Sequence, residues 1–146
     1  ALGDRPSAID AILLGGLRAH TLADPVPDLS RFEQILAWEK SCDEGWDGNG
    51  DWAPFPESTP FVNHILSIAE TEYKPFVLGN ARALLNKKKI FDITTYGQRT
   101  TYLTREYPER SREMLKRFSY DVLNNSEVAV VDAWLEKTNL TELFTS

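Results

Sequence analysis

Leu2-Gly3-Asp4-Arg5-Pro6-Ser7-Ala8-Ile9-Asp10 decides how the rest of this chain is read. Ser7 stands three positions before Asp10, and Ala8 to Leu17 then runs almost without polar interruption. That spacing predicts a capped helix start, a shorter version of the Ser-x-x-Glu box. Ser7 accepts from the N–H of Asp10, and the Asp10 carboxylate reaches back to the N–H of Ser7. A negative charge there also suits the positive end of the helix dipole. Ile9, Ile12, Leu13, Leu14 and Leu17 with Ala8, Ala11 and Ala19 leave only Asp10 and Arg18 as polar breaks. A helix apolar round its circumference needs cover on every side.

Downstream, Asp24-Pro25-Val26-Pro27 reads as a stiff connector, and Leu29 to Cys42 as an amphipathic helix with Phe32, Ile35, Leu36 and Trp38 on its buried side. The glycines, prolines and acids from Asp43 to Pro56 predict a loop. Ser58 or Thr59 caps the next helix, with Pro60 in its first turn and Phe61, Ile65, Leu66, Ile68 and Ala69 as its stripe. Pro75 divides it from a second helical run ending near Asn86. Lys89 to Thr95 and Arg99 to Thr104, around Tyr96-Gly97-Gln98, read as a β-hairpin. Pro108 opens a helix through Met114, Leu115 and Phe118 to about Leu123. Ser126 starts the last one, with Val128, Val131, Trp134 and Leu135 inward and Asn139 as its stop.

Leu2 to Asp10, followed by Ala19-His20-Thr21-Leu22-Ala23-Asp24-Pro25, resembles the N-capping segment and central helix of the C-terminal domain of glutathione S-transferases. Tyr73, Pro75, Phe76, Asn80, Ala81 and Ala83, the turn at Gly97, and the closing Leu140 and Leu143-Phe144 are similar to the tail of a bacterial-type branch of that family. The resemblance implies a mainly α fold: one glutathione S-transferase C-terminal-like helical domain across residues 1–146, partial in extent, with one small β-hairpin. A whole transferase of this type carries, upstream of the capped helix, a thioredoxin-like domain that binds glutathione and two long helices. Those are missing, and the chain begins at Ala1 rather than Met, as in a processed product, an excised fragment or an incompletely assigned sequence. No residue is carried over as a catalytic group or as a glutathione ligand. Glutathione enters only where a thioredoxin-like domain is supplied.

At 146 residues the chain is long enough for a self-sufficient core, burying about 68–70% of its unfolded surface. Its charged and apolar fractions are those of a globular chain. The longest apolar run, Ala11 to Leu17, falls far short of the roughly 20 residues that span a bilayer. Cys42 is the single cysteine, which excludes an internal disulfide and suits a reducing compartment, cytoplasmic or organellar, the mitochondrial matrix included. Asn124-Asn125-Ser126 and Asn139-Leu140-Thr141 match the glycosylation triplet and are read as chance.

Charge is uneven. Residues 82–117 hold ten Lys or Arg against four acids, a net +6 in a chain of net −6, which leaves −12 elsewhere. Lys87, Lys88, Lys89, Arg112 and Lys116 are the candidates for an anionic partner surface, an acidic protein above all, against the plainer reading of a solvated hairpin and helix face. The overall negative charge disfavours specific nucleic-acid binding.

Asp47-Gly48-Asn49-Gly50-Asp51 alternates oxygen ligands as a calcium loop does, but Trp52 and Ser58 occupy the places that need glycine and glutamate. Trp38, Trp46 and Trp52 line a hydrophobic cleft or anchor this loop. His20 and His64 have no carboxylate or cysteine at catalytic spacing, and Cys42 sits beside Asp43 and Glu44, poor surroundings for a reactive thiolate. No catalytic, cofactor or metal site is assigned. Two functions remain. One is a non-catalytic, transferase-like subunit of a larger assembly, with another polypeptide or a second copy covering Ile12, Leu13 and Leu17. The other is the C-terminal part of a glutathione transferase, contributing its hydrophobic substrate site.

Overall fold

The computed structural model describes residues 1–23 and 30–145 and is mainly helical. Its elements are α1 (Ala8–Ala23), α2 (Glu33–Asp43), α3 (Pro60–Ile68), a π-helical turn (Ala69–Tyr73), α4 (Lys74–Leu85), β1 (Ile90–Thr95), β2 (Gln98–Leu103), α5 (Glu106–Val122), α6 (Asn125–Lys137) and α7 (Glu142–Thr145). They divide into two compact units, Ala1–Val62 and Asn63–Ser146, where composition reads as one. The connector at Asp24-Pro25-Val26-Pro27 and the side chain of His20 lie outside the described residues.

In the first unit the N-terminal segment lies against the loop that follows α2. Asp4 N–H donates to Asp51 O at 3.0 Å, and Ala53 N–H donates to Leu2 O at 2.6 Å, so Gly3 and Trp52 pair as a bridge. Gly3 has φ +128°, and a Cβ there would lie 2.5 Å from Asp51 O; only glycine fits. α2 begins at Glu33, four residues later than its apolar pattern predicts. Phe32 starts it through its carbonyl, which accepts from Ile35 and Leu36, and no side chain caps it. Phe32, Ile35 and Leu36, expected inside, are exposed, while Trp38 is half-buried. Thr59 rather than Ser58 caps α3: its Oγ1 accepts from Val62 N–H at 3.2 Å and donates to Ala1 O.

The second unit holds the core of Val77, Leu78, Leu135, Leu140 and Leu143, with Leu66, Ala69, Phe76, Val131, Trp134 and Phe144 packed around it. The division expected at Pro75 is present, as a π-helical turn between α3 and α4. The chain passes through the π turn, whose last N–H, from Lys74, reaches Ala69 O, and Pro75 falls in the first turn of α4, where a missing N–H costs least. The same turn aims Glu72 at the N–H of Tyr96 and Glu70 at the Asn139 amide, both at 2.7 Å, tying hairpin turn and α6 terminus to one place.

β1 and β2 pair antiparallel from Ile90↔Leu103 to Thr95↔Gln98. Tyr96 and Gly97 both have positive φ, as a two-residue I′ turn requires. The hairpin lies on α4 at Gly79, and Phe76, Phe91 and Tyr102 pack with ring centroids 5.1–5.8 Å apart. Asn124, not Ser126, caps α6: its Oδ1 accepts from Ser126 and Glu127, and Glu127 Oε2 accepts from Asn124 N–H, a full capping box. Asn139 takes φ +56° after α6, so that Leu140 N–H reaches Leu135 O and Asn139 N–H reaches Glu136 O, a Schellman closure that delivers Leu140 to the core.

Candidate functional site

The head of α1 is a compact polar knot. Ser7 N–H donates to Asp10 Oδ2 at 2.9 Å, and Ser7 Oγ donates to the same oxygen at 2.6 Å. The return bond, from Asp10 N–H to Ser7 Oγ, is long at 3.4 Å. The Ala1 ammonium reaches Asp10 Oδ1 at 2.7 Å. Burial pushes the Asp10 carboxyl up, but the ammonium and Ser7 outweigh it and hold it below the ordinary carboxylate range. Two turns on, Arg18 binds Glu39 at 3.4 Å and Asp43 at 2.6 Å, fastening α1 to α2.

Between these attachments α1 and α2 leave an open groove of about 750 Å³. Ile12, Leu13 and Leu17 form one wall with Gly16, Ile35 and Trp38 form the other with Gln34, and Phe61, Ala1 and Asp10 complete it. Ile12 is 72% exposed, and no described side chain of α1 is buried. Among the described residues, Ile12 and Leu13 are left exposed on a helix that its composition says must be covered. Among the described residues that line the groove, the titratable groups are the paired Asp10 and the Ala1 ammonium, and the rest of the lining is mainly apolar.

A second, more polar pocket of about 520 Å³ lies behind the helix head, with Arg5, Ser41, Cys42 and Trp46 in its wall. The guanidinium of Arg5 lies over both Trp52 and Trp46, 4.5 and 5.1 Å from the ring centroids. Trp46 and Trp52 thus pack on an arginine at the surface and not in the core, and Trp38 alone of the three meets the apolar groove. In the calcium-like loop, Asp47 turns both carboxylate oxygens onto Asn49, at 2.9 and 3.0 Å, an Asx turn. No group of His, Cys, Asp and Glu suited to a metal ion occurs among the described residues. His64 is exposed on α3, and Cys42 is half-buried.

The basic island does not form one surface. Lys87, Lys88 and Lys89 are exposed in the turn from α4 to β1, and Lys116 is half-buried on α5. Arg112 is only 7% exposed and leaves the surface altogether. It chelates Glu109 through Nε and Nη2 at 3.0 and 2.7 Å, meets Glu113 at 2.9 Å, and donates from Nη1 to Leu143 O at 2.9 Å. Hydrogen bonding to Glu109 raises its pKa against the opposing effect of burial. Arg99 is likewise paired, with Asp92 at 2.7 Å.

No family model matches the chain, and comparison with curated proteins and with solved structures finds no match. Among the described residues no helix is long and apolar enough to cross a membrane.

Proposed function

We propose that this chain is a glutathione S-transferase-like helical domain without catalysis of its own, which works by binding another polypeptide as a subunit of a larger assembly. The exposed face of α1 carries the reading. Ile12 and Leu13, exposed among the described residues, face an open apolar groove whose opposite wall is Ile35 and Trp38, a chemistry suited to the apolar face of an amphipathic helix. Uncovered apolar surface of this continuity marks an interaction site.

The volume of the groove favours one second reading, in which the chain is the C-terminal part of a glutathione transferase and the groove belongs to its hydrophobic substrate site, since about 300–1,000 Å³ is the range of small-ligand pockets. A photo-crosslinking residue in place of Ile12 separates the two in the native protein. A covalent link to a different polypeptide supports the subunit reading. A link within the same polypeptide, in a protein about twice the mass of this chain, overturns it in favour of the transferase. Turnover of a general electrophile with glutathione by the purified chain would also overturn it.

A further inference from the structure

On α5 a second apolar face stands open, on the side turned away from the contact between Arg112 and Leu143. Tyr107, Met114, Phe118 and Val122 are 64–77% exposed, and at about 100° per residue they fall within about 80° of one another. Arg110 and Asp121 flank this stripe along one and the same edge. Both are exposed, and among the described residues neither is engaged in an ion pair. Four of these positions are symmetric about one point, while Tyr107, Val122 and the exposed Arg117 on the same edge fall outside that symmetry. Met114 and Phe118 are centred on position 116, and Arg110 and Asp121 on a point half a residue earlier, about 0.8 Å along the axis.

We propose that this face binds a second copy of the chain, α5 against α5 in antiparallel register about a two-fold axis at position 116. In that register Met114 of each copy meets Phe118 of the other, a thioether on an aromatic ring, and Arg110 of each meets Asp121 of the other. The two ion pairs form together because one edge of the stripe carries both signs. A parallel two-fold would put the two copies of this edge on opposite sides of the contact, and neither ion pair could form. A surface complementary to itself in both apolar contact and charge is what an isologous dimer uses. The inference is independent of the groove beside α1.

Sedimentation equilibrium of the full chain at low salt tests it. The parent should show a concentration-dependent dimer. Arg110→Glu and Asp121→Arg should each weaken dimerisation at least tenfold, whereas the combined R110E/D121R variant should return to within about threefold of the parent, the reciprocal recovery that only a direct pair gives. Ile12→Asp should leave the dimer constant unchanged, which distinguishes this face from α1. A chain that stays monomeric at the highest concentration loaded, or charge reversals that fail to weaken the dimer or fail to recover when combined, would overturn it.

Discussion

Asn80 holds the backbone of Arg105 with both ends of its amide. Nδ2 donates to the Arg105 carbonyl and Oδ1 accepts from the Arg105 N–H, each at 2.8 Å. Arg105 is the residue at which β2 hands over to α5, and no side chain caps α5. A fully buried polar group in α4 therefore fixes the backbone at the entry to α5, from a point 25 residues away.

Replacing Asn80 with alanine should cost about 2–3 kcal/mol, because an N–H and a C=O lose their partners together. Asn80→Asp keeps the acceptor but turns a carboxylate oxygen toward the Arg105 carbonyl, so it should recover nothing. Denaturant midpoints of the three proteins measure this. Equal midpoints for parent and alanine variant would show that water replaces the amide.

The Arg112 network separates burial from charge. Arg112→Ala leaves the buried Leu143 carbonyl without this donor and frees the part-exposed Glu109 and Glu113, which should cost about 1–3 kcal/mol. Lys116→Ala, four residues on and outside any ion pair among the described residues, should change stability by no more than about 0.5 kcal/mol. Thermal unfolding of both variants reads the contrast. Similar losses would mean that the network contributes nothing beyond ordinary surface electrostatics.

What the sequence showed and what it hid differ by distance along the chain. The Ser7–Asp10 bonds span three residues, as does their signature, and the hairpin follows from Ile, Thr and Tyr around Tyr96-Gly97. Arg112 reads as one more cation of a basic run because its partner carbonyl, on Leu143, lies 31 residues away. The hold of Asn80 on Arg105 is hidden for the same reason, 25 residues apart. The cap of α6 is a different miss: Asn124 and Ser126 both qualify, and Glu127, three residues after Asn124, is the signal that decides between them. For the groove, the apolar circumference of α1 was legible, but which side of α2 would face it was not. Ile35 and Trp38 acquire that role only from the Arg18 ion pairs that set the two helices together.

The helix head of α1 should respond to pH and to mutation in a set order. Asp10→Ala removes the acceptor of both Ser7 bonds and should cost about 1–2 kcal/mol, whereas Ser7→Ala leaves the Asp10 carboxylate on the Ser7 N–H and should cost about 0.5–1 kcal/mol. Because the folded-state pKa of Asp10 is depressed, its contribution is complete above its ordinary value of 3.8 and is lost as pH falls through the lower folded value. Asp10→Asn should therefore flatten the acid limb of the stability curve and leave its slope near neutrality unchanged. An identical acid limb in parent and variant would remove Asp10 from the account.

Two glycines in helices should answer alanine in opposite directions. A Cβ on Gly15 meets nothing within 4 Å, so Gly15→Ala should stabilise α1 by about 0.5–1 kcal/mol through helix propensity alone. Gly79 gains the same propensity, but its Cβ would lie 2.9 Å from Phe91 Cδ2 and 3.0 Å from Ile93 Cγ2. Neither is the free end of a flexible chain: Phe91 is held in the aromatic cluster with Phe76 and Tyr102, and Ile93 is fixed in β1 opposite Thr100. Pushing the hairpin off α4 should cost about 1–3 kcal/mol and override the gain. Gly79→Ala should accordingly lower the denaturant midpoint while Gly15→Ala raises it. A stabilised Gly79→Ala variant would mean that the hairpin moves freely enough to admit a methyl group, and that Gly79 is not what seats it on the helix.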